Sequence, residues 1–245
     1  DAALGAAGAV LLVLALVGAF AAVAIGVLQQ DPKVVLAYST ISQLGFITAL
    51  VAVGMMTPEL APATSAAALL YAVHHGLAKG ALFLGVPVVK HYGHGLTGVL
   101  VLIGMAGAGL AVAGAPLTSG AYGKYVSKEA VAGLTVFGLG LDQLLPLVAT
   151  GSTLLLMRFA FVMRQTKIEA RRRPDGELLS WLAVCAAGVA VPWWVGQNWI
   201  AYSGDFSWTV PTVWDATWPI LLGLAAGVLV WRLAARDLLP GWLRA

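Results

Sequence analysis

Of the 245 residues, 60% are hydrophobic and only 10% are charged, and the mean hydropathy is +0.89. A soluble domain cannot hide that much apolar surface, so the chain reads as an integral membrane protein. The net charge of +3 gathers on no face of a soluble domain, which excludes a nucleic-acid partner.

The chain begins at Asp1, without an initiator methionine or the ordered regions of a signal peptide, and so reads as a fragment or an incomplete chain. A bilayer core about 30 Å thick requires roughly 20 apolar residues per helix. About seven stretches qualify: roughly 5–28, 37–56, 63–90, 96–130 with an interruption, 141–164, 179–200 and 217–235. They are too long, and alternate too little, for barrel strands. The expected fold is an all-α polytopic transmembrane bundle forming one membrane domain over residues 1–245.

Lys and Arg mark the cytoplasmic loops of membrane proteins. Here they fall at Lys33, at Lys90, at Arg164, Lys167, Arg171, Arg172 and Arg173, and at Arg232, Arg236 and Arg244. The loops 29–36, 90–95 and 164–175 should therefore share the cytoplasmic side of what reads as a prokaryotic inner membrane. That leaves two crossings between Lys90 and Arg164, although residues 96–164 hold three apolar stretches. Two of these must share one crossing. The natural break is Gly114-Ala115-Pro116-Leu117-Thr118-Ser119-Gly120, where proline lacks a donor and glycine permits a turn. An ordinary outer loop at 115–118 is the competing reading. Transporters place such discontinuous helices around ion sites.

Glu59, Asp205 and Asp215 then fall outside with almost no basic residue beside them, Lys128 excepted. Trp193, Trp194, Trp199, Tyr202, Trp208, Trp214 and Trp218 read as an interfacial aromatic belt, with a quinone pocket as the alternative.

Ionisable groups inside the membrane are costly and mark function by default. Lys79 lies mid-span and Lys124 follows the break; Arg158 is near enough to a helix end to snorkel. Tyr71, His75 and Lys79 recur at i, i+4 and i+8, on one face of a helix. A neutral imidazole accepts a proton on one nitrogen and releases one from the other, which suits proton hopping. Ser39, Thr40, Ser42, Gln43 and Thr48 add groups on the preceding span that would hold water. The competing readings stay open: His75 as a helix cross-link, His74 as a packing residue turned about 100° away, and Lys128 with Glu129 as an ion pair at a helix end. Asp142 and Gln143 fall where the chain turns back.

His91 and His94 read as solvated loop residues. With His74 and His75 they make no metal site, because about half a bilayer of helix separates the pairs. Cys185, the single cysteine, allows neither an internal disulfide nor an iron–sulfur cluster, so no cofactor is expected and any redox chemistry belongs to another subunit.

The run Asp31-Pro32-Lys33-Val34-Val35-Leu36-Ala37-Tyr38-Ser39-Thr40-Ile41-Ser42-Gln43-Leu44-Gly45 resembles the loop and helix start of the antiporter-like subunits of respiratory complex I, membrane-bound hydrogenases and Mrp sodium/proton antiporters. His75-Gly76-Leu77-Ala78-Lys79-Gly80 resembles that family's His-x-x-x-Lys helix. Pro116-Leu117-Thr118-Ser119-Gly120-Ala121-Tyr122-Gly123-Lys124 resembles its discontinuous helix. The resemblance implies that Lys79 is a central relay lysine, His75 its bridging neighbour and Lys124 the exit lysine. Tyr71 stands where the family often has a second histidine, and Tyr125 where relatives carry an acid. Residues of about 5–165 correspond to the second of two inverted repeats, with 179–235 as added helices. The first repeat would lie outside this chain or on another polypeptide.

The expected function is proton translocation through a lysine and histidine chain within a complex I-like, energy-converting assembly. The expected partners are other membrane subunits, protons or Na+, and the bilayer. Whether the assembly is a quinone oxidoreductase-like translocase stays open, with this chain in a non-catalytic transport role. The alternatives are an Mrp-type Na+/H+ antiporter subunit, or a scaffold that couples energy to a partner such as a bicarbonate-uptake or hydrogenase module.

Overall fold

The computed structural model describes residues 2–136, 138–169, 173–200 and 206–236. Arg171, Arg172, Tyr202, Asp205 and Arg244 lie outside the described residues. The elements run α1 (Ala2–Gly26), α2 (Pro32–Met56), a 3-10 turn (Pro58–Leu60), α3 (Ala61–Tyr92), α4 (Gly95–Ala113), α5 (Ser119–Ala130), β1 (Thr135–Val136), β2 (Leu139–Gly140), α6 (Leu141–Met163), α7 (Gly176–Trp199) and α8 (Val210–Ala235). All the helices except α5 are long and apolar enough to cross a membrane, which gives the seven expected spans.

Helices begin earlier than hydropathy alone suggests, because caps set their starts. Asp31 accepts from the backbone N–H groups of Lys33 and Val34, at 2.8 and 3.0 Å, and Pro32 occupies the first position of α2. The small antiparallel hairpin pairing Thr135 with Gly140 was not legible in the hydropathy.

Apolar burial drives helices into a bilayer but not against one another, so close packing of small residues does that work. Gly8, Ala15, Ala19, Ala22 and Gly26 form the buried stripe of α1. A Cβ on Gly45 of α2 would come within 2.9 Å of Ala19 Cβ, so the two backbones meet there. Trp181 of α7 fills a slot between α3 and α4 beside Gly85 and Gly104, and its indole N–H donates to Ala81 O at 2.8 Å.

Three hydrogen bonds fix which helix ends lie together. Arg158 Nε donates to Gln29 O at 2.8 Å, Glu169 N donates to Lys90 O at 2.8 Å, and His94 Nε2 lies 2.9 Å from Glu169 O. The α1–α2, α3–α4 and α6–α7 connections thus share one end of the bundle. Because α4 leaves that end and α6 returns to it, α4 and α5 together make one crossing, broken at residues 114–118.

His91 differs from the solvated reading, whereas His94 is exposed as expected. His91 Nδ1 sits 2.9 Å from both Glu177 oxygens, Glu169 lies 3.7 Å from its Nε2, and Tyr92 donates to Asp175. The long α3 carries its last turn into the 164–175 segment, and the two histidines fasten that segment to the bundle.

Candidate functional site in the bundle interior

The break begins with a Schellman ending on α4. Gly114 takes the left-handed conformation at φ +82°, Ala115 N donates to Leu110 O, and Gly114 N donates to Ala111 O. Such an ending leaves the last two carbonyls, of Val112 and Ala113, without a backbone donor. Lys124 supplies one: its Nζ lies 2.5 Å from Ala113 O and 3.5 Å from Val112 O. The cation thereby sits at the negative end of the α4 dipole. A Cβ on Gly114 would fall 2.6 Å from that amine, so glycine is needed there for space as well as for its φ.

Thr118 caps α5, accepting from Ala121 N and donating to Ala115 O at 2.6 Å. Gly120 and Gly123 then let α5 approach closely. A Cβ on Gly120 would strike Ala111 O, and one on Gly123 would come 3.0 Å from the Tyr71 ring. These contacts bring the N-terminal turn of α5 against mid-α3.

His74 is fully buried, and its Nδ1 lies 2.8 Å from Ser119 Oγ. Ser119 Oγ is also 3.1 Å from Gly188 O of α7. Two proton arrangements fit this chain. In one, Nδ1–H donates to the serine, whose hydroxyl donates to Gly188; in the other, the hydroxyl donates to Nδ1 and the ring proton resides on Nε2. His74 Nε2 faces the Ala111 carbonyl without completing a hydrogen bond. The sequence left His74 between packing and function, and missed Ser119 as its partner.

Lys79 is 4% exposed, and its Nζ donates to Leu36 O of α2 at 3.3 Å. That carbonyl also accepts from Thr40 at 3.0 Å. No carboxylate pairs with Lys79 among the described residues. His75 is 5% exposed, its Nε2 has no partner among the described residues, and Lys79, His74 and Lys124 all lie within its electrostatic reach.

Tyr71 shares the buried face of His75 and Lys79 but bonds sideways. It donates to Gln43 Oε1 at 2.5 Å, Gln43 Nε2 meets Ser152 Oγ, and Ser152 donates to Val148 O at 3.0 Å. The phenol ring also packs on Phe46, with centroids 4.5 Å apart. Tyr71 therefore ties α2, α3 and α6 together. Ser39 and Ser42, on the α2 face that carries Gln43, are buried with unpartnered hydroxyls. Among the described residues, four buried polar atoms thus await a partner: Ser39 Oγ, Ser42 Oγ, His74 Nε2 and His75 Nε2. Ordered water is the usual partner for such groups.

Lys128 does not pair with its neighbour Glu129, which is exposed. It reaches across to Asp215 of α8 at 2.5 Å, so Asp215 is not isolated as its sequence surroundings suggest. Trp193 also departs from a purely interfacial role. It stacks on Tyr122 at 4.5 Å with an interplanar angle of 5°, beside Phe206, and fixes α5 against α7. Trp194, Trp199 and Trp214 remain exposed. Among the described residues, no three His, Cys, Asp or Glu side chains group as metal ligands.

A family model described as the transmembrane region of NADH:quinone oxidoreductase and Mrp antiporters matches residues 2–136, more than half of the chain. The chain belongs to this NADH:quinone oxidoreductase/Mrp antiporter family. The matched region contains α2, the His75–Lys79 stretch of α3 and the broken α4–α5 crossing, the elements that carried the resemblance.

Among curated relatives in this antiporter family, a Staphylococcus saprophyticus protein named as antiporter subunit mnhA2 is 45% identical over 71 residues, covering 26% of this chain and 9% of that protein. A Rhizobium meliloti protein named for K(+)/H(+) antiport is 34% identical over 152 residues, covering 55% of this chain and 13% of its own length. NADH-ubiquinone oxidoreductase chain 5 of Cryphonectria parasitica is 34% identical over 128 residues, covering 46% of this chain and 18% of that one. The chain thus spans less than a fifth of the length of these relatives.

Proposed function

We propose that this chain provides a half-channel for protons within a multi-subunit, energy-converting membrane complex. Protons pass from Lys79 by way of His75 and His74 to Lys124, with Ser39, Thr40, Ser42 and Gln43 holding the waters between them. Tyr71 braces the route from the side. The observation that carries this reading is that buried His75, its Nε2 unpartnered among the described residues, lies within electrostatic reach of Lys79, His74 and Lys124, while both lysines donate to backbone carbonyls.

The chemistry follows from that arrangement. An amine unmatched by a carboxylate has its charge state decided by charges that change nearby, such as those on an adjoining subunit. A proton released by Lys79 finds an imidazole with a free nitrogen. His74 then shifts between its two arrangements with Ser119, and Lys124 receives the proton at the broken helix. The basic connections at one end would face the cytoplasm, by the bias of Lys and Arg toward that side. The partners would be other membrane subunits, one of them carrying the first repeat.

The names of two relatives, one an antiporter subunit and the other a K(+)/H(+) antiporter subunit, favour a second reading, exchange of protons against a monovalent cation. Acidification of vesicles holding the purified complex, driven by an imposed membrane potential, separates the readings. Proton movement with no added Na+ or K+ gradient is the expected result. Movement only when sodium or potassium moves in the opposite direction would establish antiport instead, and none at all would leave this chain a scaffold.

A further inference from the structure

A crevice of about 50 Å³ lies between α5, α6 and α8, lined by Gly114, Lys124, Lys128, Thr212, Asp215 and Pro219 among others. A site needs about 10–15 Å³ to hold one water, so this volume accommodates a few. Lys124 and Lys128 are one turn apart on the same face of α5. The Lys124 amine turns inward to Ala113 O, while the side chains of Lys128 and Asp215 are 34% and 45% exposed. Both stand at the end of the bundle opposite the basic connections, where α5 finishes and α8 starts. Among the described residues lining the crevice, Asp215 is the only acid.

We propose that Asp215 is the proton-release group of the route, taking the proton of Lys124 through the crevice waters and passing it to the outer medium. This rests on the half-channel reading above. The Lys124 ammonium loses one proton, the Asp215 carboxylate gains it, and the resulting acid loses it to bulk water. Lys128, partly exposed beside the carboxylate, carries no proton of the route. The crevice wall comes mainly from α5, α6 and α8, with Phe46 of α2 and Ala113 of α4, and α8 thereby gains a role that its apolar sequence does not suggest.

A tether and a relay predict different results. Were the Lys128–Asp215 contact only a clasp between α5 and α8, removing either partner would have the same consequence. For a relay, Asp215→Asn lowers potential-driven proton flux by about tenfold or more, Asp215→Glu restores it, and Lys128→Gln stays within about threefold of the parent. The measurement uses the intact complex in vesicles, with assembly checked by native electrophoresis. Equal losses for Asp215→Asn and Lys128→Gln, or full flux in Asp215→Asn, would overturn the proposal. If Asp215→Asn reduces the yield of complex, Lys128→Gln decides alone: flux kept supports the relay and flux lost overturns it. Loss of flux in Lys124→Ala together with full flux in Asp215→Asn would remove only Asp215, whereas full flux in both would remove the half-channel as well.

Discussion

Replacing Lys79 by alanine is expected to bring potential-driven proton flux down to the background of empty vesicles, a loss on the order of a hundredfold or more, while the complex still assembles. Flux is lost because the amine meets the α2 carbonyl of Leu36 on one side and lies within electrostatic reach of His75 on the other, and alanine carries no proton between them. Assembly survives because the one hydrogen bond removed ends on Leu36 O, which keeps Thr40 as a donor. Removing an amine that has no carboxylate partner leaves no opposite charge stranded in the interior, so the large penalty for breaking a buried ion pair does not arise. Proton flux and native electrophoresis on the same preparation check both halves. Parent-like flux in an assembled Lys79→Ala complex would show that protons do not use this amine.

Lys124 is the second position of large effect, and here transport and stability separate. Lys124→Ala strips the donor from Val112 O and Ala113 O and removes a cation from the α4 C-terminus, which is worth about 0.3–1 kcal/mol. The expected cost is therefore a slightly lower thermal midpoint with flux near background. Lys124→Arg keeps a cation beside the same carbonyls, yet a guanidinium does not give up its proton. It should recover the midpoint without recovering flux. Thermal unfolding of the solubilised complex, set beside vesicle flux, makes the comparison. Flux restored by arginine would reduce Lys124 to a helix cap.

The long features of this fold were legible because the bilayer imposes them. Seven apolar stretches became seven spans, and the count of basic loops correctly demanded a broken crossing at Gly114–Thr118. The lysines were legible for the same reason, since a cation in an apolar run has few structural excuses. Partners were not. The pairing of Lys128 with Asp215 joins helices 87 residues apart, and it depends on how α5 and α8 are rotated, which no local pattern records. Similarly, the periodic row Tyr71, His75 and Lys79 predicted a shared face but not that the phenol would turn to Gln43 and Ser152. The contact of His74 with Ser119 was not foreseen because it depends on the close approach of α5 that Gly120 and Gly123 allow. The acid contacts of His91 were not foreseen because α3 runs past the apolar stretch and its last turn meets Glu169 and, at the α7 start, Glu177.

The proposed route needs water beside the unpartnered atoms to join the two amines, and hydroxyl-radical footprinting of the membrane-embedded complex probes it most directly, because radicals born from ordered water mark the side chains next to it. His75 and Phe159 are comparably buried, at 5% and 6% exposure, and Phe159 lines neither the route nor the crevice. The route predicts oxidation of His75 well ahead of Phe159, with His74 also marked. Oxidation confined to exposed side chains, with His74 and His75 as unmarked as Phe159, would mean a dry interior and no path between Lys79 and Lys124.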